Sequence, residues 1–71
     1  MNYNVFLGRF TTQEDCKKVQ KELNKSGHAA KIYSLGECFS LLICGTTDYS
    51  IAYAYWKIFT DKGYKVEILN M

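Results

Sequence analysis

What most limits how this chain folds is that it repeats itself. Eleven residues separate Cys16 from Gly27, and eleven separate Ala52 from Gly63. Leu23 stands four before the first glycine, as Phe59 stands four before the second. Gly-His-Ala-Ala-Lys-Ile at 27–32 aligns with Gly-Tyr-Lys-Val-Glu-Ile at 63–68. Self-similarity at this period marks a duplicated supersecondary unit. With 71 residues in all, the two units must share one small core, so residues 1–71 are read as a single domain.

Each unit reads as strand, helix, strand. Tyr3 to Phe10 is rich in aromatic and branched residues, as strands are. Thr11 and Thr12 then precede Glu14 and Asp15. Thr11 with Glu14 has capping-box spacing, and Thr12 is the other candidate cap. Cys16, Val19 and Leu23 make one apolar stripe between charged residues, and Gly27 ends the helix. Ala30 and Ile32 alternate with Lys31 and Tyr33 in a second strand. The other unit runs Phe39 to Cys44, a helix opened at Thr46-Thr47-Asp48 and ended at Gly63, and Tyr64 to Leu69. Repeats over about 3–34 and 38–69 give β-α-β-β-α-β, an α+β fold of the ferredoxin or RNP type. The expected sheet is antiparallel, four-stranded and ordered 4-1-3-2, with both helices on one face.

Composition excludes several classes. Disordered chains are poor in aromatics and rich in proline, whereas this one is 15% aromatic and has no proline. The longest apolar run, Ile51 to Trp56, is far short of the roughly 18 residues of a membrane span. No signal peptide is visible behind Asn2, Tyr3 and Asn4, so the expected setting is the cytosol or a module of a larger exported protein. A net charge of +2 is close to neutral, and Lys17, Lys18, Lys21 and Lys25 with Glu22 read as a solvated helix face. Three cysteines without C-x-x-C spacing indicate neither a zinc site nor a disulfide framework, although Cys16 and Cys38 fall at one end of the domain. No cofactor is implied.

Alternation assigns the faces. With Val5 and Leu7 toward the helices, Asn4 and Phe6 point to the bare face. In the third strand, Leu42 and Cys44 are placed inward, leaving Phe39, Leu41 and Ile43 outward. A slip of one residue reverses that phase. Lys31 and Tyr33 in the second strand, and Lys65, Glu67 and Leu69 in the fourth, also fall on the bare side. Strands one and three then form an apolar patch of Phe6, Phe39, Leu41 and Ile43, with Asn4, Arg9, Lys31 and Tyr33 as a polar rim. Such a patch marks an interaction site, either for a ligand or for a homodimer or neighbouring domain. The second helix is apolar around most of its girth. Ala52, Tyr55 and Phe59 are assigned to the core, and Tyr49, Tyr53 and Trp56 are left partly outside, a second candidate contact surface.

Catalytic material is sparse. His28 is the only histidine and lies away from Cys16 in this topology, while Asp15, Asp48 and Asp61 sit at helix ends. An RNA-recognition module has the same fold, but Cys-Phe-Ser-Leu-Leu-Ile-Cys-Gly in the third strand lacks its basic, glycine-aromatic signature. No nucleic-acid partner is expected.

Tyr-x-Val-x-Leu-Gly-x-Phe-Thr-Thr, a helix with Cys16, Leu23 and Gly27, and then Ala-x-Ile resemble the start of a SPOR domain, the sporulation-related repeat. The likeness runs from Tyr3 to Leu69. It implies a non-catalytic module that binds peptidoglycan glycan strands stripped of stem peptides. Such modules are attached to amidases, other wall hydrolases or division and sporulation proteins, in the cell envelope outside the cytoplasm. The family holds glycan on the bare sheet face, here Asn4, Phe6, Arg9, Lys31, Tyr33, Phe39, Leu41 and Ile43. The chain departs from the family where a glutamine, a branched residue, glycine and a small polar residue are usual: it has Phe6, Leu7, Gly8 and Arg9. Gly45-Thr46-Thr47 likewise lacks the family's Gly-x-Phe. Either aromatic stacking and an arginine replace the missing polar contacts, or the glycan function has drifted.

Overall fold

The computed structural model describes residues 2–70. In chain order the elements are β1 (Tyr3–Phe10), α1 (Gln13–Lys25), β2 (Lys31–Leu35), β3 (Cys38–Thr46), α2 (Tyr49–Asp61) and β4 (Val66–Asn70). The strands form one antiparallel sheet ordered β2-β3-β1-β4, which is the expected 4-1-3-2 order seen from the other edge. Both helices cover the same face, α1 against β1, β2 and β3, and α2 against β1, β3 and β4.

The duplication extends to individual hydrogen bonds. At the end of α1, the His28 N–H donates to the Leu23 carbonyl at 2.9 Å and the Gly27 N–H to that of Asn24 at 3.1 Å. At the end of α2, Tyr64 donates to Phe59 at 3.1 Å and Gly63 to Thr60 at 3.0 Å. This is one Schellman motif made twice, and it needs the left-handed φ of +86° at Gly27 and +94° at Gly63. The starts of the helices differ. Thr12, not Thr11, caps α1, its hydroxyl accepting from the Asp15 N–H at 3.2 Å. Asp48 caps α2, accepting from the Ser50 N–H at 2.9 Å and the Ser50 hydroxyl at 2.6 Å.

The core lies between the helices and the sheet. Leu7, Cys16, Leu23, Leu41 and Phe59 form its centre, with Phe10, Val19, Ile32, Phe39, Ile43, Tyr55 and Val66 packed around them. Equivalent positions of the repeat are equally buried, Cys16 with Ala52 and Leu23 with Phe59. Gln20 ties α1 to the chain entering β2, its amide donating to the Ala30 carbonyl at 2.8 Å.

This arrangement corrects the expected phase of β3. Phe39, Leu41 and Ile43 point toward the helices, and Leu41 is completely buried. Leu42, placed inward on sequence grounds, is opposite Phe6 and belongs to the bare face. Cys44 keeps its expected side only because the register shifts: Val5 pairs with Cys44 and Phe6 with Leu42, so Ile43 is an extra residue in a β-bulge. A one-residue slip exchanges the two faces of a strand, and β3 carries too few polar residues to resist one on pattern alone.

Candidate functional site

The helix-free face of the sheet is built in rows across the strands. Lys31, Leu42, Phe6 and Glu67 make one row, from β2 to β4. Tyr33, Ser40 and Gly8 make the next. Asn4 stands between Gly45 and Leu69 in a third. A Cβ at position 45 would come within 3.0 Å of the Asn4 side-chain oxygen, so the glycine makes room for Asn4.

Between these rows is a cleft of about 270 Å³ lined by Phe6, Gly8, Arg9, Cys38, Ser40, Glu67 and Leu69. Its shape follows from a second bulge. Gly8 pairs with Ser40 and Phe10 with Phe39, leaving Arg9 as the extra residue. The bulge turns Phe10 into the core and leaves Arg9 exposed on the bare side. Gly8 has φ +129°, and a Cβ there would stand 3.0 Å from the Phe10 ring. Only glycine meets both demands without strain. Its N–H is satisfied by the Lys65 carbonyl at 2.9 Å.

Phe6 is only 4% exposed although it faces away from the helices. Tyr33 meets it edge-to-face, with ring centroids 5.7 Å apart and planes at 86°, and Tyr33 itself is 38% exposed. The cleft is therefore not the open apolar patch expected from sequence. It has an aromatic and hydroxyl floor, Phe6 and Ser40, and a charged rim. There the Arg9 Nε donates to the Glu67 Oε1 at 3.2 Å across a largely solvated surface.

Of the eight residues expected to bind ligand, Asn4, Phe6, Arg9, Lys31 and Tyr33 share this face. Phe39, Leu41 and Ile43 do not: they are on the opposite side, in or against the core. Ser40, Cys38 and Leu42 take their places. Ser40 was the available signal, since it is the one hydroxyl in the middle of β3 and it marks the polar side.

The flank of α2 carries a separate aromatic row. Tyr3 meets Tyr49 edge-on at 5.2 Å, Tyr49 stacks on Tyr53 at 6.5 Å, and Tyr53 on Trp56 at 5.7 Å. Tyr49 and Tyr53 remain about half exposed, as expected, and with Trp56 and Ile68 they line a shallow groove of about 190 Å³ beside β4.

Among the described residues the thiols, the imidazole and the Asp48 carboxylate lie apart, each in its own packing or capping role. Burial pushes the Cys16 and Cys44 thiols up from their ordinary value, which keeps them protonated and poorly nucleophilic. His28 packs edge-on against Phe59 at 5.3 Å. The Ser50 hydroxyl and N–H hold the Asp48 carboxyl below its ordinary range, and that carboxylate is occupied in capping α2. All three cysteines are free, and no cluster of three metal-ligating side chains occurs among the described residues. No helix among them is long and apolar enough to cross a membrane. Comparison with family models, with curated proteins and with solved structures returned no match.

Proposed function

We propose that this domain is a non-catalytic binding module for bacterial peptidoglycan, holding glycan strands stripped of stem peptides against the helix-free face of its sheet. In this reading it carries an attached wall hydrolase, division protein or sporulation protein to such strands in the cell envelope. The observation that carries it is the cleft of Phe6, Ser40, Arg9 and Glu67, open on a face that neither helix covers. Sugar rings present apolar C–H faces and equatorial hydroxyls together. The exposed Tyr33 ring suits the first, and Asn4, Arg9 and Lys31, with Ser40 at the cleft floor, suit the second. The resemblance of Tyr3–Leu69 to SPOR domains supports the same ligand.

The test is co-sedimentation with intact sacculi and with sacculi stripped by an amidase. Preferential pelleting with stripped sacculi, weakened by Tyr33→Ala, is the expected outcome. A folded protein that pellets with neither is not a glycan module.

A second reading is favoured by one observation. Tyr49, Ile51, Tyr53 and Ile58 are large apolar residues of α2 that remain about half exposed. They, rather than the sheet face, are the surface for a homodimer or partner protein. A mass that rises with concentration in sedimentation equilibrium, and returns to the monomer value on Tyr53→Ser, supports that reading.

A further inference from the structure

We infer that Arg9 reads the free carboxylate that distinguishes a stripped glycan from a peptide-bearing one. This rests on the glycan reading above. Hydrolysis of the amide between a stem peptide and its muramic acid leaves a carboxylate on the sugar's lactyl group and an amine on the departing peptide. A stripped strand therefore bears a negative charge on every second sugar, and a peptide-linked sugar has an amide there instead.

The cleft is arranged to meet such a charge. Arg9 is held out by the bulge after Gly8, with its side chain 68% exposed. Glu67 engages one of its five N–H donors, the Nε–H, in a single contact at 3.2 Å. The four N–H groups at the end of the guanidinium have no partner among the described residues. A carboxylate is the planar, bidentate acceptor that this end of an arginine matches. Glu67 lies across the neck of the guanidinium and positions it over the cleft without occupying its terminal edge. Lys31, at the far end of the Phe6 row, adds a second cation roughly 14 Å from Glu67 at ordinary strand spacing. With Lys65, which lines the adjoining groove beside Arg9, the cations here outnumber Glu67, a charge balance suited to an acidic polymer.

Two probes separate this inference from the reading it rests on. One is a stripped glycan strand, and the other is the same strand with its lactyl carboxylates converted to methylamides. The wild type is expected to bind the acidic strand roughly tenfold more tightly at low salt, the scale of one charge-assisted bidentate contact. Arg9→Gln, at an exposed side chain, should abolish that difference, so that the acidic and methylamide strands bind alike. Glu67→Gln should widen it by removing the competing anion. Equal binding of both strands by the wild type overturns the inference and leaves the glycan reading standing. So does a difference that survives Arg9→Gln. Failure of the folded protein to bind either strand sinks both.

Discussion

At the scale of single residues, the sheet face is set by positions that serve packing and surface together. Phe6 looks like a solvent-facing ligand contact in the sequence, yet its neighbours Tyr33, Leu42 and Glu67 bury it almost completely. Phe6→Ala is therefore expected to cost about 3 kcal/mol, close to the loss for a core aromatic, as read by urea denaturation. It is a poor probe of binding, whereas Arg9 is exposed and can be changed without that penalty, and Tyr33→Ala gives up only an edge-to-face contact of about 0.5–1.5 kcal/mol. Leu41→Ala should cost about 2–5 kcal/mol by the same measurement, because Leu41 belongs to the centre of the core and not to an exposed patch. Gly8→Ala combines a disfavoured φ with an approach to the Phe10 ring. A loss of about 1–3 kcal/mol is expected, with Arg9 moved from the cleft rim. Unchanged stability would mean that the bulge tolerates a side chain and is not what places Arg9.

At the scale of elements, the helices were legible and β3 was not. Helix ends are written in local chemistry, Thr12 and Asp48 at the starts and glycines at the ends, so the sequence locates them to within a residue or two. The face of a strand is written only in alternation. From Cys38 to Cys44, β3 is apolar everywhere except Ser40, and the bulge at Ile43 interrupts the period before it repeats. The inward phase of Leu41 is decided by Leu7, its partner on β1, and by Phe59 of α2 across the core, neither of which is local in sequence. The cap of α2 makes its own prediction. Asp48 has a folded pKa lowered by the Ser50 hydroxyl and then the Ser50 N–H, so it titrates below its unfolded value. Its charged form therefore stabilises the fold above pH about 4, and that contribution is lost as pH falls through the lowered folded value. Asp48→Asn should lower Tm at pH 7, and the gap from wild type should close under acid. A gap independent of pH would remove the charge from the explanation.

At the scale of the whole molecule, the duplication determines how the domain holds together. The strands of one repeat, β1 and β2, are not neighbours: β3 of the other repeat lies between them. The same holds for β3 and β4, which β1 separates. Neither half can form its own sheet: all three strand pairs, the β2–β3 hairpin included, join one repeat to the other. Peptides 1–36 and 37–71 should each be unstructured alone by circular dichroism and should gain strand and helix signal on mixing. A folded single peptide would contradict this interlocked arrangement. The interlock also places β1 and β3 at the centre, with Phe6, Gly8 and Ser40 together on the face that the helices leave open.

That face is the central claim, and backbone amide NMR during titration with stripped glycan strands tests it most directly. Chemical-shift changes should concentrate at Asn4, Phe6, Arg9, Tyr33, Ser40, Leu42 and Glu67, leaving Tyr49, Tyr53 and Trp56 unmoved. Changes centred on the α2 aromatic row, or none at saturating glycan, would contradict the account.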